Sequence, residues 1–273
     1  MSTQPPTIPP AADDPGHRFA VVTGGSSGIG RALAREFARG GFDVLVAAED
    51  DAVHEVPAEL AGTGRHAEAV QTDLATREGV DALYGRIAAI GRPVDAIALN
   101  AGFGVGGGSF LQTALEDHLR LIDLNVHGTV HLARHVAADM VRRGEGRMLF
   151  TSSLAAEMPG PYYATYAASK SFVQSFAEAL RVELADAGVT VSALQPGPTD
   201  TEFFAASDME GTTVDEGPKD DPDDVARKGF QALMDGDDHV VTGLRNKVQA
   251  AVAGVLPDPL AAKLHAKQAE PKD

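Results

Sequence analysis

Cysteine is absent from the 273 residues, which removes disulfides, thiolate nucleophiles and thiolate metal ligands together and excludes a secreted disulfide scaffold. The absence fits a reducing, cytoplasmic compartment. Basic charge is scarce: 23 lysines and arginines face 39 aspartates and glutamates, a formal charge of -16. That balance repels a phosphate backbone or an anionic membrane surface, so neither nucleic acid nor membrane is expected as a partner. No run reaches the roughly 18 consecutive apolar residues of a bilayer span. The N-terminus lacks the basic patch and apolar run of a secretion signal.

What the chain does have is 44% apolar residues, enough for a substantial buried core. Residues 1–17 are Pro-rich and polar and read as a flexible leader. From Arg18 onward, short apolar runs alternate with longer amphipathic segments, the rhythm of repeated βαβ units around a parallel sheet. Strands are expected at Phe19–Thr23, Val44–Ala48, Ala67–Gln71, Ala96–Asn100, Arg147–Ser152, Thr190–Gln195 and His239–Thr242. Most are continuous apolar runs, as suits strands covered on both faces. Helical patterns fall at Arg31–Arg39, Arg77–Ile90, Ala114–Arg142, Tyr163–Ala187 and Asp223–Met234. The expected architecture is an α/β, Rossmann-like, doubly wound and mostly parallel seven-stranded sheet, formed by one domain over residues 18–254 with a tail at 255–273. Residues 198–222 are acidic and aperiodic, and read as a binding loop.

Thr23-Gly24-Gly25-Ser26-Ser27-Gly28-Ile29-Gly30 follows a strand and opens a helix. Glycines there can turn tightly while free backbone N–H groups and the helix dipole face a pyrophosphate. Tyr166 and Lys170 are four apart in a helical pattern and project from one face. A phenol with a pKa near 10 gives little phenolate at neutral pH, and a neighbouring ammonium favours the anion. Tyr166 could then take a proton from an alcohol or give one to a carbonyl. Tyr162 and Tyr163 are rivals, but neither has a lysine one turn downstream. Ser153 and Ser152 both end an apolar strand and could meet the substrate oxygen.

The TGxxxGxG spacing, with Tyr166 and Lys170 behind it, resembles the short-chain dehydrogenase/reductase family in its short single-domain branch, and the resemblance runs from about Phe19 to Gly243. It implies that Ser153, Tyr166, Lys170 and Asn125 form the catalytic tetrad, and it favours Ser153 over Ser152 by the spacing to Tyr166. It implies a helix kink at Asn125 holding a water that links Lys170 to solvent. It places a nicotinamide dinucleotide against Gly24, Ser26, Ser27, Gly28, Ile29 and Gly30. Asp73 and Leu74 would meet the adenine, Asn100, Ala101 and Gly102 would lie beside the cofactor, and Pro196, Gly197, Thr199 and Thr201 would close over its carboxamide. The implied activity is alcohol–carbonyl interconversion by hydride transfer on a small-molecule substrate. Assembly as a homodimer or homotetramer is also implied.

The chain after the second expected strand reads Glu49-Asp50-Asp51. The family's usual ribose-binding acid falls at Ala48, and Glu49 takes the next place, often arginine in NADP users. Three carboxylates repel a phosphate and the glycine loop carries no basic residue, so NAD is expected over NADP, with Glu49 at the ribose. Phe103, Met158, Tyr163, Phe203 and Phe204 are candidates for lining the substrate pocket, from their places beside the other motifs. His127, His131 and His135 recur at helical spacing, but structural metal sites want a fuller ligand set, and no metal is expected. Two competing readings keep the fold: a cofactor-sensing protein without turnover, and an enzyme using the cofactor for epimerisation or dehydration.

Overall fold

The computed structural model describes residues 17–106, 108–203, 207, 212, 215–243 and 246. The expected leader up to Gly16, Phe204 and the tail at 255–273 lie outside the described residues. The strands are β1 (Arg18–Thr23), β2 (Phe42–Ala48), β3 (Ala67–Gln71), β4 (Ala96–Leu99), β5 (Gly146–Thr151), β6 (Val189–Gln195) and β7 (His239–Val241). They form one sheet in the order β3-β2-β1-β4-β5-β6-β7. Every pairing is parallel, including β6 with β7, so the sheet is wholly rather than mostly parallel.

Side-chain alternation sends successive residues of each strand to opposite faces. Val21, Leu45 and Ile97 pack with one set of helices: α3 (Arg77–Ile90) through Leu83, α5 (Thr129–Arg143) through Leu132 and Val136, and α6 (Ala164–Leu184) through Val173. Val22, Val46 and Ala98 pack on the other face with α1 (Gly28–Arg39) through Leu33 and Phe37, and with α7 (Pro222–Asp235) through Val225 and Leu233. Burying both faces explains why the strands read as near-continuous apolar runs.

Two local features depart from the periodicity. A five-residue helix, α2 (Val56–Leu60), starts with Pro57 in its first turn, where a missing N–H costs nothing. It is too short to show a helical period. The long pattern Ala114–Arg142 is interrupted: α4 (Leu115–Ile122) passes through a π-helical turn at Asp123–Gly128 before α5 begins. Such turns shift side chains off the regular α-helical spiral, and Asn125 is inside this one.

The chain goes from β1 outward through β2 and β3, then returns to place β4 on the other side of β1. That reversal opens a crevice beyond the carboxyl ends of β1 and β4. The site lies there.

Candidate active site

A cleft of about 770 Å³ is lined by the glycine loop, the ends of β2, β4, β5 and β6, and the start of α6. Every sequence-derived cofactor position from Gly24 through Thr201 contributes to its wall, Gly24, Ser26, Ser27, Gly28, Ile29, Gly30, Glu49, Asp73, Leu74, Asn100, Ala101, Gly102, Pro196, Gly197, Thr199 and Thr201 alike.

The glycines are needed because backbone approaches backbone. A Cβ on Gly30 would lie 1.8 Å from the Gly24 carbonyl oxygen, and one on Gly24, at φ +63°, would lie 2.8 Å from the Ala101 Cα. Asn100 ties this loop to the sheet: its Nδ2 donates to the Thr23 carbonyl at 3.2 Å, and its Oδ1 accepts from the Thr151 hydroxyl at 3.0 Å. The Thr23 hydroxyl oxygen in turn accepts from the N–H groups of Asn100 and Ala101, both at 3.0 Å. The loop is therefore held open in front of α1's free N–H groups, which fits a pyrophosphate.

At the reacting end, Ser153 caps the short 3-10 turn Leu154–Glu157, its Oγ accepting the Ala155 N–H at 3.1 Å. That leaves the hydroxyl proton for another partner, and the Ser153 side chain is hydrogen-bonded to Tyr166. Burial drives the Tyr166 phenol up to about 12, against a smaller lowering by the Ser153 hydrogen bond. The net direction for the phenol is thus upward, set by its burial. Lys170 is itself buried and pulled down to about 8 by that burial, and its Nζ donates to the Thr151 carbonyl at 2.9 Å. The ammonium sits 5.9 Å from the centre of the Tyr166 ring. Burial thus moves both groups toward their neutral forms.

Asn125 is 1% exposed, and its amide is spent on protein. Nδ2 donates to the Phe103 carbonyl and to Ser169 Oγ, each at 3.0 Å, while Oδ1 accepts the Phe103 N–H at 3.1 Å. Asn125 locks the segment Gly102-Phe103 beside Lys170: a Cβ on Gly102 would meet Asn125 Oδ1 at 2.9 Å and Lys170 Nζ at 3.2 Å.

Of the apolar candidates, Phe103, Tyr163 and Phe203 line the cleft. The Phe203 ring is 5.2 Å from that of Tyr166, and Tyr163 is 6.3 Å from it. Burial raises the Tyr163 phenol as well. Met158 is buried at the end of the 3-10 turn, whose Leu154 and Ala155 line the cleft while Met158 itself does not. The loop that carries Phe203 is pinned at its base, where Asp200 N–H donates to the Asp220 carbonyl at 2.9 Å and Asp220 N–H to that of Pro198 at 2.8 Å.

Sequence reasoning missed Arg120, Ser169 and Asn246. Arg120, on α4, donates to both carboxylate oxygens of Glu49 at 2.8 and 2.7 Å and to Asp73 Oδ2 at 3.1 Å, and it lines the cleft. Arg120 thus sets a cation beside Glu49 and Asp73, although the glycine loop itself carries none. These partners lie 71 and 47 positions away in the chain, so nothing local announces the contact. Asn246 also lines the cleft, anchored by its Nδ2 to Asp220 at 2.9 Å, and it packs against Gly197.

Residues 18–210 match the family model described as short chain dehydrogenase. The 1-deoxy-11-beta-hydroxypentalenate dehydrogenase of Streptomyces exfoliatus is 35% identical over 223 residues, which span 79% of this chain and 79% of that protein. Among solved structures, a short-chain dehydrogenase from Sphingobium yanoikuyae in complex with NADPH aligns with a TM-score of 0.77 at 26% identity, covering 88% of this chain and 96% of that one. A short-chain dehydrogenase/reductase from Burkholderia phymatum in complex with NAD also gives 0.77 at 26% identity, covering 86% and 92%. Among the described residues no helix is long and apolar enough to cross a membrane.

Proposed function

The chain belongs to the short-chain dehydrogenase family, and from that premise we propose that it interconverts a secondary alcohol and a ketone, or an alcohol and an aldehyde, with a nicotinamide dinucleotide. The observation that carries this reading is the convergence of Ser153, Tyr166 and Lys170 in the same cleft as the glycine loop.

Bound there, the dinucleotide supplies the hydride acceptor or donor, and the chain supplies the proton. The glycine loop from Gly24 to Gly30 and the Asn100-Ala101-Gly102 segment would hold it. In reduction Tyr166 gives its hydroxyl proton to the carbonyl oxygen as the carbon gains a hydride; in oxidation it takes that proton back. Ser153, its own acceptor lone pair engaged by Ala155, donates to the substrate oxygen and fixes its place. Lys170 places a cation behind the phenol ring and stabilises the phenolate that forms. Asn125, its amide already spent on Phe103 and Ser169, is a positioning residue. Phe103, Tyr163 and Phe203 surround the substrate's apolar part, and the 198–222 segment is its binding loop.

NAD is the proposed cofactor. Glu49, Asp50 and Asp73 put three carboxylates on the cleft wall beside Arg120, while the other lining cation, Lys170, stands with Tyr166 at the reacting end. The balance still disfavours an additional phosphate. A homodimer or homotetramer is proposed too, supported by exposed Phe172 and Val182 on α6 and Val141 on α5; light scattering on the purified chain tests it.

The test of activity follows reduced-nicotinamide absorbance with a broad panel of secondary alcohols and ketones, with Tyr166→Phe as control. Turnover by the native chain and its loss in the variant are expected. Tight cofactor binding without turnover across the panel would favour a sensor, and products of epimerisation or dehydration would favour the third reading.

A further inference from the structure

Outside the cleft, the fold completes a ligand set that the histidine stripe of α5 could not complete alone. His127 leaves the stripe, its Nδ1 lying 2.8 Å from Asp123 one turn back on the same stretch of helix. His131 and His135 instead turn toward α3, where Asp81 projects between them. His131 Nε2 is 3.1 Å from Asp81 Oδ1, and His135 Nε2 is 3.8 Å from the same oxygen. One ligand atom from each of the three residues lies within 4.8 Å of the others.

We propose that Asp81, His131 and His135 form a binding site for a divalent transition-metal ion, best suited to Zn²⁺. Two imidazoles and one carboxylate are borderline ligands that Zn²⁺ takes readily. Bonds of about 2.0–2.2 Å in a tetrahedron place ligand atoms roughly 3.3 Å apart, against the 3.1 and 3.8 Å from Asp81 to the two rings and the 4.8 Å within which all three ligand atoms lie, so the groups would close inward on the ion. The His135 ring is already oriented: it stacks on Tyr84 with centroids 4.4 Å apart and planes 18° from parallel. Tyr84 is fixed in turn by its hydroxyl, which donates to Asp139 at 2.8 Å.

All three side chains reach solvent, Asp81 being 55% exposed, so an ion has a route in and a fourth position open to water. None of the three lines the catalytic cleft. The ion would therefore bridge α3 to α5, joining segments 50 positions apart in the chain directly after the π-turn that holds Asn125. Its effect is on stability and not on the reaction.

The experiment uses the full chain, stripped with a chelator that is then removed. Zn²⁺ is titrated by calorimetry, and thermal unfolding is followed with and without the ion. One Zn²⁺ per chain and a rise in Tm are expected. His131→Ala and Asp81→Asn should each weaken binding by about tenfold or more and abolish the Tm rise, while His127→Ala should behave as the native chain. Co²⁺ gives a second readout independent of stability, a visible ligand-field band present in the native chain and missing from both variants. No binding by the native chain, or equal affinity in the His131 and Asp81 variants, would overturn the proposal.

Discussion

Lys170 donates to the main-chain carbonyl of Thr151 at 2.9 Å, across the gap between the first turns of α6 and the end of β5. The bond holds a buried ammonium in place without neutralising it, so the cost of burying charge persists and the lysine sits at about 8 in place of its ordinary 10.5. Above pH 8 the folded chain releases this proton while the unfolded chain keeps it until 10.5. Stability contributed by this group therefore rises with pH across that window, and the penalty stands in full below it. The shift corresponds to roughly 3 kcal/mol at about 1.4 kcal/mol per unit. Urea unfolding of the native chain and of Lys170→Met between pH 8 and pH 10 checks this. The native chain should gain on the variant as pH rises; parallel curves would show that the ammonium is not penalised by burial.

Arg120 decides how negative the distal end of the cleft is. Its guanidinium engages Glu49 and Asp73 together, and both contacts raise its own pKa. Arg120→Ala should leave three carboxylates uncompensated there and lower the efficiency with NADP relative to NAD. Glu49→Gln should move the ratio the other way. Shifts of about tenfold, some 1.4 kcal/mol, are expected for removing one charge at close range in a partly exposed site. The check is kcat/KM with each cofactor for the three proteins. An unchanged ratio in both variants would mean that this end of the cleft does not select the cofactor.

Much of this site was legible because its parts are short and local. The glycine loop announced itself by lying between β1 and α1, and Tyr166 and Lys170 by one turn of spacing on α6. The seven strands were readable from burial on both faces. What the sequence concealed depends on contacts between distant segments: Arg120 with Glu49 and Asp73, or Asn125 with Ser169, 44 positions away. The phenol's upward shift was hidden for a related reason, since spacing brings a cation near but burial decides the sign. The 3-10 turn at Leu154–Glu157, without a period long enough to read, was hidden as well, and with it which of its residues line the cleft.

The hydroxyl of Ser169 accepts from Asn125 Nδ2 and donates to the Tyr166 carbonyl at 2.7 Å, so it couples the π-turn to the helix turn that carries the phenol. Ser169→Ala leaves a buried amide donor short of one partner, which costs about 1–3 kcal/mol. A drop in kcat with little change in cofactor affinity is expected, together with a lower Tm. Stopped-flow cofactor binding and steady-state kinetics measure both. If cofactor affinity fell in step with kcat, the coupling would run through the dinucleotide site and not through Tyr166.

Two glycines separate cofactor binding from substrate binding. A methyl on Gly30 would strike the Gly24 carbonyl oxygen at 1.8 Å, a rigid main-chain atom, so Gly30→Ala should distort the phosphate loop and abolish cofactor binding. A methyl on Gly104 would meet the tip of the Phe203 ring at 2.6 Å and Ser207 Oγ at 2.7 Å, both ends of side chains. Those can yield, and the ring that yields is the one packed 5.2 Å from Tyr166. Gly104→Ala should therefore raise KM for the alcohol or ketone by about tenfold while kcat and the cofactor's Kd hold nearly constant, the pattern of lost uniform binding. Calorimetry with the cofactor and steady-state kinetics with the substrate distinguish the two variants. A Gly104→Ala enzyme with native KM would place Phe203 outside the bound substrate's reach and leave Phe103 and Tyr163 to define the pocket.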